Sequence, residues 1–145
     1  MDEWAVRAAI FERFAATGRA PDGAEIAEWV GGADAARAVL RRLHDAHLIV
    51  LADDGAILMA LPFSAVPTAH RVVVGPRSWW ANCAWDALAI PAALDVDADI
   101  EAEWMDTGEP VELRVVGGRL DGLEDGGFVH FERPAARWWD DIVET

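Results

Sequence analysis

Two apolar runs, Leu48-Ile49-Val50-Leu51 and Ala56-Ile57-Leu58-Met59, stand on either side of Asp53-Asp54-Gly55. That strand–turn–strand signature governs how everything before it must pack. Ahead of it the apolar residues keep helical spacing. Asp2 is placed to cap a first helix in which Trp4, Ala8, Phe11 and Ala15 recur, with Ile10 and Phe14 widening the stripe, and Gly18 sits where a helix C-cap belongs. Asp22-Gly23-Ala24-Glu25 has capping-box spacing and opens a short helix holding Ile26, Trp29 and Val30. After the Gly31-Gly32 turn, Asp34 is expected to cap a third helix that turns Val39, Leu40 and Leu43 inward and Arg37, Arg41 and Arg42 outward.

Three helices followed by a hairpin is the order of a winged helix-turn-helix, so residues 1–62 read as a winged-helix-like N-terminal domain. Charge bears on what such a domain would do. Residues 1–62 hold six arginines against ten carboxylates, and the whole chain carries twelve cationic residues, all arginine, against 26 carboxylates for a net −14. Affinity for a phosphate backbone comes largely from cations, so a packing or dimerisation module is expected here in preference to a DNA reader. No apolar run reaches the ~18–20 residues of a membrane span. Met1-Asp2-Glu3-Trp4 is acidic where an export signal is basic, which leads to the expectation of a cytoplasmic protein. The lone cysteine, Cys83, rules out an intramolecular disulfide framework and a Cys-rich zinc site.

Two prolines between Leu61 and Pro67 mark an extended linker, and residues 63–145 form the second expected domain. His70-Arg71-Val72-Val73-Val74 reads as a strand stopped by Gly75-Pro76. The run from Ser78 to Ile90 reads as a helix with Ser78 at its N-cap, ended around Pro91. Cys83 and Asp86, three apart, then share one face. The helix dipole would lower the thiol pKa, while Asp86 works against it or holds a proton for delivery. Spacing alone leaves two readings open: a nucleophile or soft-metal ligand beside a proton donor, or an inert buried cysteine near a surface aspartate.

Asn82-Cys83-Ala84-Trp85-Asp86-Ala87-Leu88 with Ile90-Pro91-Ala92 resembles the Cys-Ala-Leu-Asp helix and Phe-Pro-Ala exit of the alkylmercury (organomercurial) lyases. Thr107-Gly108-Glu109-Pro110-Val111 is similar to the turn linking two strands in that family. Val129-His130-Phe131, then Pro134-Ala135 and Trp138, resembles its Val-His-Phe strand and following helix. The resemblance implies that Cys83 grips mercury as a thiolate, a soft ligand for a soft metal, and that Asp86 relays the proton that releases the hydrocarbon. It also implies a second cysteine, and at that place the chain has Gly126. An external thiol as second ligand is therefore part of the expectation, and no resident cofactor is.

The remaining candidates are weighed singly. Trp79, Trp80 and Trp85 flank Cys83 and suit either the core or the wall of a hydrocarbon pocket, with Trp85 the better pocket residue and Trp80 assigned to the pocket with it. His130 is a candidate second ligand or a strand histidine facing a neighbour. His44 and His47 suit the C-terminal end of the third helix. Asp95, Asp97, Asp99, Glu101 and Glu103 alternate with apolar residues, the pattern of a strand with one solvated acidic face, and they lack the glycine turn of an EF-hand. The expected fold is α+β: the winged-helix-like unit, then a small mixed sheet with the Cys83 helix and a C-terminal helix, alkylmercury lyase-like overall. The expected ligand is a small organometal or thiol. The functional alternatives are a non-catalytic soft-metal or small-molecule binder and a winged-helix thiol sensor.

Overall fold

The computed structural model describes residues 1–121 and 126–142. Helix α1 spans Glu3–Thr17, α2 Gly23–Val30 and α3 Ala33–Asp45, followed by strands β1 Val50–Leu51 and β2 Ile57–Ala60. The expected order of three helices and a hairpin is present. Asp2 caps α1 by accepting from the Ala5 N–H at 2.8 Å, and Gly18 closes it in the left-handed region at φ 69°. The buried row of α1 is Val6, Ile10 and Phe14, while Trp4 is 65% exposed. Four-residue spacing of three bulky apolar side chains outweighs a row that is half alanine. Gly32 is the N-cap of α3; Asp34, expected there, lies in the first turn and pairs with Arg37.

The chain continues as β3 Phe63–Ser64, β4 Arg71–Val74, β5 Arg77–Ala81, α4 Ala84–Leu94, β6 Ala98–Glu103, β7 Pro110–Val116 and β8 Arg119–Asp121, with a 3-10 helix at Ala135–Asp140. The class is α+β. One eight-stranded sheet runs in the order β1-β2-β3-β5-β4-β6-β7-β8, and each pairing is antiparallel where a mixed sheet was expected. The hairpin of residues 50–60 thus belongs to the same sheet as the rest, and the core does too. Phe14 stacks on Phe63 at 5.4 Å, and the buried Trp79 indole donates to the Phe14 carbonyl at 2.8 Å.

Three sequence expectations are corrected here. The helix expected from Ser78 is strand β5 up to Ala81, because Gly75-Pro76 is a two-residue turn that lays Val74 against Arg77 and returns the chain as a hairpin. Its alternation turns Trp79 into the core and Trp80 to the other face. Pro91 does not end α4. It is buried inside the helix, which runs on to Leu94 and stops at Asp95 in the left-handed region. Val129-His130-Phe131 forms no strand, since no sheet edge pairs with it and Phe131 turns instead to other aromatic rings. The turn at residues 107–110 joins β6 and β7 as the resemblance implied. The acidic face of β6 is solvated, with Asp99 held by Arg114 at 2.7 Å and Glu101 by Arg71 at 3.2 Å.

Candidate active site at the start of helix α4

Moving the start of α4 to Ala84 makes Cys83 its N-cap and Asp86 its third residue. That is capping-box spacing, which sets the N-cap and third residues one helix turn apart. The backbone leading in is pinned on both sides of the strand end: the Ala81 N–H donates to the His70 carbonyl at 3.0 Å, and the Thr68 hydroxyl donates to the Ala81 carbonyl at 2.6 Å. The Cys83 thiol and Asp86 carboxyl are therefore set on an ordered scaffold.

Burial dominates their electrostatics. Cys83 is half-buried and Asp86 only 9% exposed. Burial pushes the Cys83 thiol above its ordinary range; the backbone N–H groups of Asp86 and Trp85 pull it back, and the Asp86 charge and side chain push it up again. The lowered thiol pKa expected from the sequence is not found: burial outweighs the two backbone N–H groups that favour the thiolate. Burial likewise raises Asp86, against hydrogen bonds from the Asn82 amide and the Cys83 side chain that favour the carboxylate. Asn82 Nδ2 donates to Asp86 Oδ2 at 3.0 Å. Burial thus biases both the Cys83 thiol and the Asp86 carboxyl, one helix turn apart, toward their protonated forms.

The other predicted site residues divide. Trp85, 55% exposed, meets Phe131 edge-on at 6.2 Å, and Phe131 meets Trp138 at 5.2 Å, so three aromatic rings gather on the first turn of α4. Trp139 stacks on His47 at 4.1 Å, which ties the C-terminal 3-10 helix to the end of α3. Trp80 is not brought into this group. It lies under the Arg71 guanidinium and lines a separate cleft of about 550 Å³ with Thr17, Arg19, Arg77 and Ser78. Gly126 is exposed at φ 79° with open space around it. His130 is exposed and makes no hydrogen bond or ion pair among the described residues. No group of three His, Cys, Asp or Glu side chains able to hold a metal occurs among the described residues.

Sequence reasoning missed Asn82 as the partner of Asp86, although their i, i+4 spacing was visible. It also missed Phe131 as the neighbour of Trp85, a contact between distant segments that leaves no local signal.

Fold and site together define an α+β protein with a cysteine–carboxyl pair at a helix start. The family model for alkylmercury lyase, MerB, matches residues 63–145, more than half of the chain, and the chain belongs to that family. Among solved structures it is similar to the mercury-bound form of MerB2, with a TM-score of 0.66 and 29% identity over 82% of this chain and 58% of that one. The chain thus spans less than two thirds of that structure. No curated protein matches it.

Proposed function

We propose that this protein binds organomercurials through Cys83 and cleaves the carbon–mercury bond with a proton relayed by Asp86. The observation that carries the reading is the contact between a half-buried thiol and a buried carboxyl whose proton affinity is raised by its surroundings. Raised proton affinity favours the protonated form of the carboxyl, the form that can donate to carbon. Membership of the alkylmercury lyase family and likeness to a mercury-bound relative support the substrate class.

The steps balance as follows. The Cys83 sulfur displaces X⁻ from R–Hg–X, and the thiol proton leaves with it as HX. Asp86 then protonates the carbon as the carbon–mercury bond breaks, releasing R–H and leaving mercury on Cys83. With Gly126 at the place of the second cysteine, an external thiol R′SH completes the coordination: it returns a proton to Asp86, and its thiolate takes up the mercury. Trp85 and Phe131 present an apolar wall to the organic group. Among the described residues, Arg37 and Arg42 of α3 are already paired with carboxylates, which weighs against a nucleic-acid surface there. No helix among the described residues is long and apolar enough to cross a membrane.

The test is benzene release from phenylmercuric acetate in excess thiol. Release above background that is lost in Cys83→Ser and Asp86→Ala supports the relay. Mercury retained at one equivalent through Cys83 with no benzene favours the second reading, a binder on the same scaffold. The open surroundings of Gly126 and His130 are what keep that reading in view.

A further inference from the structure

The cleft lined by Trp80 runs against the charge of the chain. Carboxylates outnumber arginines 26 to 12 overall, yet none of the described residues lining that cleft is acidic, and two of them, Arg19 and Arg77, are cationic. Neither makes an ion pair among the described residues, whereas Arg71 on the neighbouring strand is held by Glu101. The fold itself opens this space. Strand β3 pairs with β5 only at Ala81 and Trp80, so among the described residues the edge of β5 from Arg77 to Trp79 has no strand against it on that side. The chain leaving α1 closes there instead. Gly18 comes so near that a Cβ on it would lie 2.3 Å from the Ser78 carbonyl oxygen, and the Trp79 indole ties the same strand to Phe14. Thr17 orders the backbone of Arg19: its hydroxyl donates to the Arg13 carbonyl at 2.7 Å and accepts from the Arg19 N–H at 3.2 Å. Arg77 follows directly on the Gly75-Pro76 turn. Two cations thus stand on ordered backbone around a space of about 550 Å³, a size that suits a small ligand.

We infer that this cleft is a binding site for a small organic anion, with Arg19 and Arg77 taking its carboxylate or phosphate group and Trp80 its planar, apolar body. Guanidinium forks match the oxygen geometry of both groups, and an indole offers a flat apolar face to a ring. Ser78 and Trp80 share one face of β5 by its period of two. Arg71 lies over the Trp80 ring at 5.8 Å and donates to the Ser78 hydroxyl at 3.2 Å, so the indole and the hydroxyl are held in one arrangement. The inference stands apart from the lyase reading, because no step of the carbon–mercury chemistry passes through these residues.

The test titrates the full, isotope-labelled chain with phenyl phosphate and, separately, with benzoate, followed by NMR. The Trp80 indole N–H and the Arg19 and Arg77 Nε–H resonances are expected to shift together along one saturable curve. The probe that binds more tightly assigns the anionic group. Arg19→Gln and Arg77→Gln, both at exposed positions, should each weaken binding about tenfold or more, the scale of a lost charge-assisted hydrogen bond. Arg41→Gln removes an exposed arginine of α3 outside the cleft and should leave binding unchanged. Benzyl alcohol keeps a ring without the charge, while acetate and inorganic phosphate keep the charge without a ring; all three should bind more weakly than the aromatic anions. The absence of a saturable shift with either probe overturns the proposal. So does an equal loss in Arg41→Gln, which marks attraction to diffuse charge. A control compound that matches its aromatic anion overturns it as well, since either the arginines or Trp80 would then have no part in recognition.

Discussion

Helices α2 and α4 begin with the same spacing and put it to opposite uses. At α2, Asp22 accepts from the N–H groups of Ala24 and Glu25 at 2.8 and 2.9 Å, and Glu25 returns a bond from the Asp22 N–H at 3.1 Å. Both side chains have partners; Asp22 is exposed to water, and the half-buried Glu25 also pairs with Arg13 at 3.0 Å. At α4 the N-cap is Cys83, which closes no cap hydrogen bond, and the third residue is a buried Asp86 held by Asn82. A thiol is a weak acceptor, so the Trp85 and Asp86 N–H groups that face the Cys83 sulfur are held more weakly than a carboxylate cap would hold them. One helix start stabilises the fold; the other leaves a thiol and a buried carboxyl outside any side-chain cap.

The largest effect expected from this contrast comes at Cys83. Cys83→Ser should bring benzene release to background while raising the thermal midpoint, because serine is among the preferred N-caps. Gas-phase detection of benzene and a melting curve on the same preparation check both halves. Loss of activity with loss of stability would show that Cys83 supports the helix start as Asp22 does, and the contrast would collapse.

Asp86→Asn comes next, with loss of release in the range of ~10²–10⁴-fold typical of a removed general acid. It also has a pH signature. Asp86 holds its proton more tightly when folded than in the unfolded chain, so the folded state binds more protons between the two pKa values. Stability therefore falls as pH rises from the ordinary carboxylate range through the raised folded value. In Asp86→Asn that loss should vanish, measured as the difference between the two proteins' melting midpoints across the acidic range. A carboxylate stabilised by its surroundings would give the opposite slope.

How much of this the sequence carried depends on whether the signal was local. Asp22, Glu25, Gly18 and the Asp53-Asp54-Gly55 turn act within a few residues of themselves, and each was legible. The start of α4 was not. Ser78 is a good N-cap type, and a Trp-Trp-Ala run suits helix or strand; what makes residues 77–81 a strand is pairing with β3 on one side and β4 on the other. Cys83 and Asp86 were found by family likeness and by three-residue spacing, and that spacing holds across a capping box as well as within a helix. Trp80 was misplaced with the strand, since period two sends it to the face opposite Trp79. Burial of Asp86, which gives the site its chemistry, arises from tertiary packing and has no signature in the sequence.

Trp85→Ala should have a smaller, selective effect. Removing the ring that meets Phe131 takes away apolar surface beside the thiol. KM for phenylmercury is expected to rise several-fold, while a methylmercury substrate, with little surface to bury, is nearly unaffected. Equal losses on both substrates would mean that Trp85 orders the helix start instead of contacting the organic group.

The smallest effect sharpens the comparison from the other side. Asp22→Ala removes the cap of α2 and should cost about 1 kcal/mol, a fall of a few degrees in melting midpoint. Benzene release per folded molecule should not change, because α2 contributes no residue to the Cys83 pair. Asp22→Ser, which restores a cap acceptor, should recover most of the stability. If Asp22→Ala instead altered the pH profile of release, the N-terminal helices would be coupled to Asp86 through the shared core, where Phe14 of α1 meets both Phe63 and the Trp79 indole one strand position before Trp80. The two helix starts would then be parts of one device, and the division between a structural and a chemical turn would have to be drawn elsewhere in the molecule.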